Sequence, residues 1–275
     1  MLAARALSRT ARRARLVQDG RHLSGAGGAA ASPPPEALVR GGIRPESLPR
    51  HVALVTDGNW RWAQARGLLT ADGHEAGRRA LEHAIWLSHA WGIRALTVFA
   101  FSQENFGRPK TEVDYVLGMI ERTIRENVVE YERKGIRLHV IGDPSRRPES
   151  LQEAAREAEE MTGAEEMTRS NSKMHLMLAT YYSGRWEIVQ AAQGGLLRPE
   201  DIDDALLAGE LQTSAAAGEL SCPDLVIRTS ARAAAEQLPA LYFTDTLWPD
   251  FGEAEYLEAL SWFQSRERRF GQRTA

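Results

Sequence analysis

His51-Val-Ala-Leu-Val-Thr-Asp-Gly-Asn-Trp-Arg-Trp-Ala63 carries an apolar run that ends on an acid, a glycine, an amide and a guanidinium. Val52 to Val55 is short, apolar and bounded by polar residues, the pattern of an interior strand of a parallel sheet. The residues after it open a helix. Asp57 is therefore expected outside the carboxyl end of a strand, where ligands of open α/β sheets gather, with the next helix's free N–H groups aimed at the same spot. A carboxylate there can hold Mg²⁺, and Asn59, Arg61 and main-chain amides can hold diphosphate oxygens.

Outward from this stretch, helical and strand patterns alternate. Glu75 to Trp91 sets Ala80, Leu81, Ala84, Ile85, Leu87 and Trp91 at helical spacing and stops at Gly92. Ala95 to Phe101 reads as a second buried strand, Thr111 to Lys134 as a long amphipathic helix closed by Gly135, and Arg137 to Ile141 as a third strand. A helix from near Pro148 to about Thr162, a strand from Met174 to Ala179 and a helix from Arg185 to Ala192 follow. Beyond the acidic segment Pro199 to Gly209 come strands Asp224 to Ile227 and Leu241 to Thr244, then a terminal helix from Glu253 to about Arg269. Such alternation calls for right-handed crossovers. The expected fold is α/β: a single domain with a mostly parallel central sheet of about six strands flanked by helices.

Residues 1–40 differ from the rest. The first 35 hold Arg5, Arg9, Arg12, Arg13, Arg15 and Arg21 against the single acid Asp19, with Ala, Ser and Gly between, the make-up of an organelle transit peptide or of a plain disordered tail. Ser32-Pro-Pro-Pro35 and Gly41-Gly42 mark a linker, and the folded domain is expected over 45–272. Without those six of 34 basic and one of 37 acidic residues, 28 remain against 36, a net charge of about −8 that argues against general nucleic-acid binding. Cys222 is the single cysteine, which excludes an intrachain disulfide. No apolar run approaches the ~20 residues of a membrane span, so contact with lipid is expected to be peripheral.

Three strand ends carry polar residues that converge on one mouth if the sheet is parallel. They are Asp57, Gly58, Asn59 and Arg61 after the first strand, with the next helix beginning near Gly73-His74-Glu75; Ser102, Glu104, Asn105, Phe106 and Arg108 after the second; and Arg228, Thr229 and Ser230 after Leu225-Val-Ile. Arg61, Arg108 and Arg228 are rigid forks suited to diphosphate. Each feature has a plainer reading: Asp57-Gly58 as a turn, His74 as a polar cap before its helix, Ser102 and Asn105 as loop residues satisfying their own backbone. Trp60, Trp62, Trp86 and Trp91 read as packing residues. The acid that haloacid-dehalogenase phosphatases need two residues before Asp57 is Val55 here, and no GxGxxG after a strand, no GxxxxGK[ST] loop and no zinc-type Cys/His spacing is present.

The chain resembles the cis-prenyltransferases, the family of undecaprenyl and dehydrodolichyl diphosphate synthases, most nearly those of plants or algae. The blocks HVALVTDGNWRWAQARGL with GHEAG, LTVFAFSQENFGRPKTEV, YYSGRWEIVQA, DLVIRTS, LYFTDTLWPDF and RERRFG occur in the family's order, from about Leu48 to Gly271. The resemblance implies a Mg²⁺-dependent enzyme, homodimeric or paired with a homologue, that joins isopentenyl diphosphate to an allylic diphosphate such as farnesyl or geranylgeranyl diphosphate. It also implies a plastid or mitochondrial location. The allylic diphosphate would bind at Asp57, Gly58, Asn59, Trp60, Arg61, His74, Phe106 and Arg108, its tail in an apolar tunnel beside the sheet, with isopentenyl diphosphate on Arg228. Asp57 would engage the metal, and Asn59, Ser102 and Asn105 would position proton transfer.

Two departures stand out. Trp60 occupies the place of a family glycine, where its bulk is expected to crowd a phosphate. The stretch Ser230 to Ala240 lacks part of the family's isopentenyl-binding segment, and Arg232 and Glu236 are the residues available to substitute. These departures support an alternative reading, a catalytically impaired homologue acting as a partner subunit.

Overall fold

The structure, a computed structural model, describes residues 35–163, 173–194, 211–212, 220–230 and 241–266. Strand β1 (His51–Val55) is almost wholly buried, as an apolar run covered on both faces must be. Around it lie β2 (Ala95–Ser102), β3 (Ile136–Ile141), β4 (Met174–Tyr182), β5 (Leu225–Arg228) and β6 (Leu241–Phe243). These six strands form one sheet in the order β3-β4-β2-β1-β5-β6, every pair parallel. From β1 the chain adds β2 alongside, places β3 at that edge, inserts β4 between β3 and β2, then returns to the opposite side of β1 for β5 and β6. The strand order thus reverses beside β1, so β2, β1 and β5 are neighbours whose carboxyl ends share one edge at the switch point.

The described helices are α1 (Glu36–Arg40), α2 (Asn59–Ala65), α3 (Thr70–Trp91), α4 (Lys110–Lys134), α5 (Glu149–Gly163), α6 (Gly184–Gly194) and α7 (Glu253–Ser265). The main apolar core joins Leu54, Leu96 and Val98 of the sheet to Ile85 of α3, Ile124 of α4 and Leu260 of α7. A smaller cluster of Ala95, Ile141, Met177, Ala179 and Tyr182 packs separately. Among the described residues no helix is long and apolar enough to cross a membrane.

Several boundaries differ from the sequence expectation, for physical reasons. Leu38 of α1 is fully buried and belongs to the main core, so packed structure begins within the expected linker. Helix α3 starts at Thr70, a turn before the expected Glu75: the Asp72 carboxylate accepts the Leu69 amide at 3.0 Å and closes the first turn. Gly73, expected at the helix start, lies inside it. The acidic segment 199–209, the leader 1–34 and the chain beyond Arg266 lie outside the described residues.

Candidate functional site

The turn after β1 is held from β5 and from the 3₁₀ turn Trp248–Asp250. The Asp57 amide donates to Thr229 Oγ1 (3.0 Å), the Thr229 hydroxyl donates to the Asp57 carbonyl (2.8 Å), and the Trp248 amide donates to the same carbonyl (3.0 Å). Gly58 then takes φ +115°, a conformation open to glycine, and a Cβ there would lie 3.1 Å from Leu247 and from Ser230. With its backbone fixed on three sides, Asp57 presents its carboxylate to two guanidinium groups, Arg61 Nη2 at 3.2 Å and Arg228 Nη2 at 3.7 Å.

The second strand end contributes Arg108, and the helix after it supplies a residue that the sequence reading missed. Glu112 accepts from Arg108 Nη1 (3.0 Å) and lies 3.1 Å from Nε2 of the buried His74. One carboxylate therefore orients both a cation and an imidazole. Burial pushes the His74 pKa below its ordinary value, and the bond and charge of Glu112 oppose that shift. Arg108 and Glu112 are four apart across the start of α4, a spacing that marks them as a pair once the helix is placed. His74 is inside α3 and is not a cap.

Asn59 sits in a notch of α3. A Cβ on Gly73 would strike the Asn59 carbonyl, and one on Gly77 would strike the Asn59 side-chain amide and the Trp248 ring. The glycines are there for close approach. Among the described residues Asn59 Oδ1 is buried without a hydrogen-bond partner.

Ser102 and Asn105 satisfy each other locally, the Ser102 amide donating to Asn105 Oδ1 at 3.0 Å, and both still line the cavity described below. Phe106 does not. It lies on Tyr181 (4.6 Å between ring centroids) and beside Phe101 (5.8 Å), outside the lining. The 3₁₀ turn Gln103–Gly107 places Asn105 on the cavity lining and Phe106 against that aromatic cluster, whose Phe101 lines the cavity. Trp60 lies within α2, whose helical backbone needs no glycine, and it is 52% exposed. It borders a hollow of about 360 Å³ together with Arg61, Asp57, Asn59, His74 and Arg108, and is absent from the lining of the main cavity.

The main cavity, about 560 Å³, is polar at one end and apolar along its length. Asp57, Asn59, His74, Asn105, Arg108 and Arg228 line the strand-end rim, so the three expected segments do meet. Phe99, Phe101 and Leu178 of the sheet face Leu81 of α3 and Val116 and Ile120 of α4 along the apolar part. A charged mouth on a greasy slot suits a molecule with an anionic head and a hydrocarbon tail.

A family model described as "Putative undecaprenyl diphosphate synthase" matches residues 55–271. The chain belongs to this family, the cis-prenyltransferases. Over 240 residues, 82% of this chain and 74% of the relative, it is 43% identical to a chloroplastic dehydrodolichyl diphosphate synthase of Solanum lycopersicum. It is 39% identical over 239 residues, 82% of this chain and 89% of the relative, to a farnesyl-diphosphate-specific ditrans,polycis-undecaprenyl-diphosphate synthase of Xanthomonas axonopodis. The crystal structure of lavandulyl diphosphate synthase from Lavandula x intermedia, in complex with dimethylallyl diphosphate, superposes with a TM-score of 0.73 at 37% identity, covering 82% of this chain and 100% of that one. The six-stranded parallel sheet is thus the cis-prenyltransferase fold, and the relatives are prenyl diphosphate synthases.

No group of three or more metal-ligating side chains occurs among the described residues. Mg²⁺ seldom needs one, since one or two carboxylates plus substrate phosphates and water complete its shell. Asp57 offers such a carboxylate at the anionic end of the cavity, and the orphaned Asn59 Oδ1 lines the same space. The residues fit the ion.

Proposed function

We propose that the protein condenses isopentenyl diphosphate with an allylic prenyl diphosphate to give a Z-polyprenyl diphosphate, with Mg²⁺ as cofactor. The observation that carries this reading is the meeting of Asp57, Arg108 and Arg228 at the rim of one cavity whose depth is apolar. Arg61, Arg108 and Arg228 bind and orient diphosphate oxygens, the work for which a guanidinium fork is suited. Asp57 would hold Mg²⁺, which when bound would supply charge to stabilise the departing diphosphate. The apolar wall of Phe99, Leu81 and Ile120 keeps water from the cationic carbon that the isopentenyl double bond attacks. Loss of a proton from the joined chain completes the new double bond, and Asn59, Ser102 and Asn105 position that transfer.

The Arg-rich leader and the chloroplastic relative support delivery to a plastid. A homodimer or a pairing with a homologous subunit is part of the proposal. Arg232 and Glu236, the residues available to substitute in the shortened isopentenyl-binding segment, lie outside the described residues.

The test incubates purified protein with farnesyl or geranylgeranyl diphosphate, labelled isopentenyl diphosphate and Mg²⁺. Incorporation that disappears in Asp57→Ala and with chelator is the expected result. No incorporation alone, but stimulation of an active homologue on mixing, would assign the chain to the partner-subunit reading instead.

A further inference from the structure

The cavity meets the sheet at a pair of irregularities. Strands β2 and β4 pair Phe99 with Ala179, then Phe101 with Thr180, then Ser102 with Tyr182, so Ala100 is an extra residue in β2 and Tyr181 an extra residue in β4. A regular strand turns alternate residues to one face, whereas Phe99, Ala100 and Phe101 all line the cavity. Tyr181 takes φ +55°, in the left-handed region that glycine enters freely and a bulky side chain rarely does. Its neighbours hold it there. The Tyr181 carbonyl accepts the Asp143 amide at 3.2 Å, and Gly142, itself at φ +110°, lies so close to the Thr180 carbonyl that no Cβ fits. A strained residue persists only where its surroundings over-determine it, and such residues gather at functional sites.

The 3₁₀ turn Gln103–Gly107 is tied within itself. The Ser102 amide donates to Asn105 Oδ1, and the Arg108 amide donates to the Asn105 carbonyl at 3.1 Å, so the two rim residues Asn105 and Arg108 are carried as one unit. Among the described residues two side-chain ties join this turn to β4, and both end on Tyr181. Gln103 Nε2 donates to the Tyr181 carbonyl at 3.5 Å, and the Phe106 ring lies on the buried Tyr181 ring, which also meets Phe101 at 5.3 Å between centroids. The other side of the rim, Asp57 and Arg228, has its own hold in Thr229 and Trp248.

We propose that Tyr181 is a positioning residue for the anion-binding rim: its left-handed bulge sets ring and carbonyl against the turn after β2 and thereby places Asn105 and Arg108 for the diphosphate head. The inference rests on the reading of the cavity as a prenyl diphosphate site and adds the residue that aligns one side of it. Tyr181 acts through Phe106 and touches no substrate atom.

The experiment measures, by calorimetry on the full chain with Mg²⁺, binding of geranylgeranyl diphosphate and its displacement by inorganic diphosphate. Tyr181→Phe, which keeps the ring, retains both native affinities. Tyr181→Asn keeps the main-chain carbonyl and a side chain that tolerates left-handed backbone, but loses the ring. It is expected to weaken both ligands by the same factor, about tenfold, because the fault lies in head-group alignment. Phe106→Leu, on the exposed turn, is expected to reproduce that loss, and it decides the matter if Tyr181→Asn does not fold. The double variant binds no worse than Tyr181→Asn, since one contact is removed twice. Native affinities in the variants, multiplied losses in the double variant, or a loss confined to geranylgeranyl diphosphate overturn the proposal, the last by showing that Phe106 meets hydrocarbon directly. Native protein that binds geranylgeranyl diphosphate and ignores inorganic diphosphate also overturns it, there being no anion-binding rim to align. Failure to bind geranylgeranyl diphosphate at all overturns the reading beneath.

Discussion

The indole N–H of Trp248 donates to the main-chain carbonyl of Gly77 at 2.9 Å, joining residues 171 apart in sequence at the wall of the cavity. Trp248 is buried and its own amide holds the Asp57 carbonyl, so one residue fixes both the acidic turn and the notch that receives Asn59. Trp248→Phe keeps most of the packing and removes the donor. Loss of a buried neutral hydrogen bond costs about 1 kcal/mol, read as a lower urea midpoint, and turnover is expected to fall more than stability because Asn59 and Asp57 both shift.

Gly77→Ala tests the notch directly. The added methyl meets the Asn59 amide and the Trp248 ring, and overpacking of this kind costs roughly 1–3 kcal/mol. Thermal melting reports the cost. The same substitution at Gly118, which has open space around its Cβ position, is expected to be neutral or stabilising in the helical context.

Glu112→Gln separates the two duties of its carboxylate. Glu112 raises the His74 pKa against burial, so removing its charge moves the His74 titration further down, which NMR of the ring protons measures. Arg108 loses its charged partner at the same time. The kcat/KM for the allylic substrate is expected to fall about tenfold, on the order of 1.4 kcal/mol. An unchanged His74 titration would remove the tie inferred from the 3.1 Å contact.

Acid sensitivity has a source remote from the site. Burial lowers His51 from 6.5 to about 4, and burial, with the neighbouring charges of His175 and Arg137, lowers His139 to about 4. Both are neutral in the fold and more basic in the unfolded chain. Their contribution is therefore whole above pH 6.5 and is lost as the pH falls toward about 4. For the fully buried His51 the effect is on the order of 3 kcal/mol. His51→Gln is expected to flatten the fall of the urea midpoint across that window, and an unchanged slope would contradict this assignment.

The strand ends were legible because short apolar runs mark where strands stop, so Asp57, Asn105, Arg108 and Arg228 could be named as a set before their convergence was known. The strand order was not legible: nothing in the local pattern says that β4 inserts between β3 and β2, or that β5 pairs with β1. Gly73 was misread as a boundary because a glycine selected for close packing looks, in sequence, like one selected for chain reversal. Leu81, Val116 and Ile120 passed as ordinary core, since lining a slot and filling a core call for the same side chains. The orientation of Phe106 was not legible, because a one-residue rotation along a tight turn exchanges the neighbour that faces the cavity, and periodicity does not resolve so short a segment.

The rim is assembled from the ends of β1, β2 and β5, segments distant in sequence that are brought together by the β1–β2 and β1–β5 pairings. A partly folded chain thus lacks any version of the anion-recognising mouth, weak or strong. A diphosphate compound that spans Asp57, Arg108 and Arg228 is consequently a reporter of completed folding: it raises the melting temperature by mass action on the native state alone. Cells with ample isoprenoid precursor would accordingly hold more of this protein intact than starved ones.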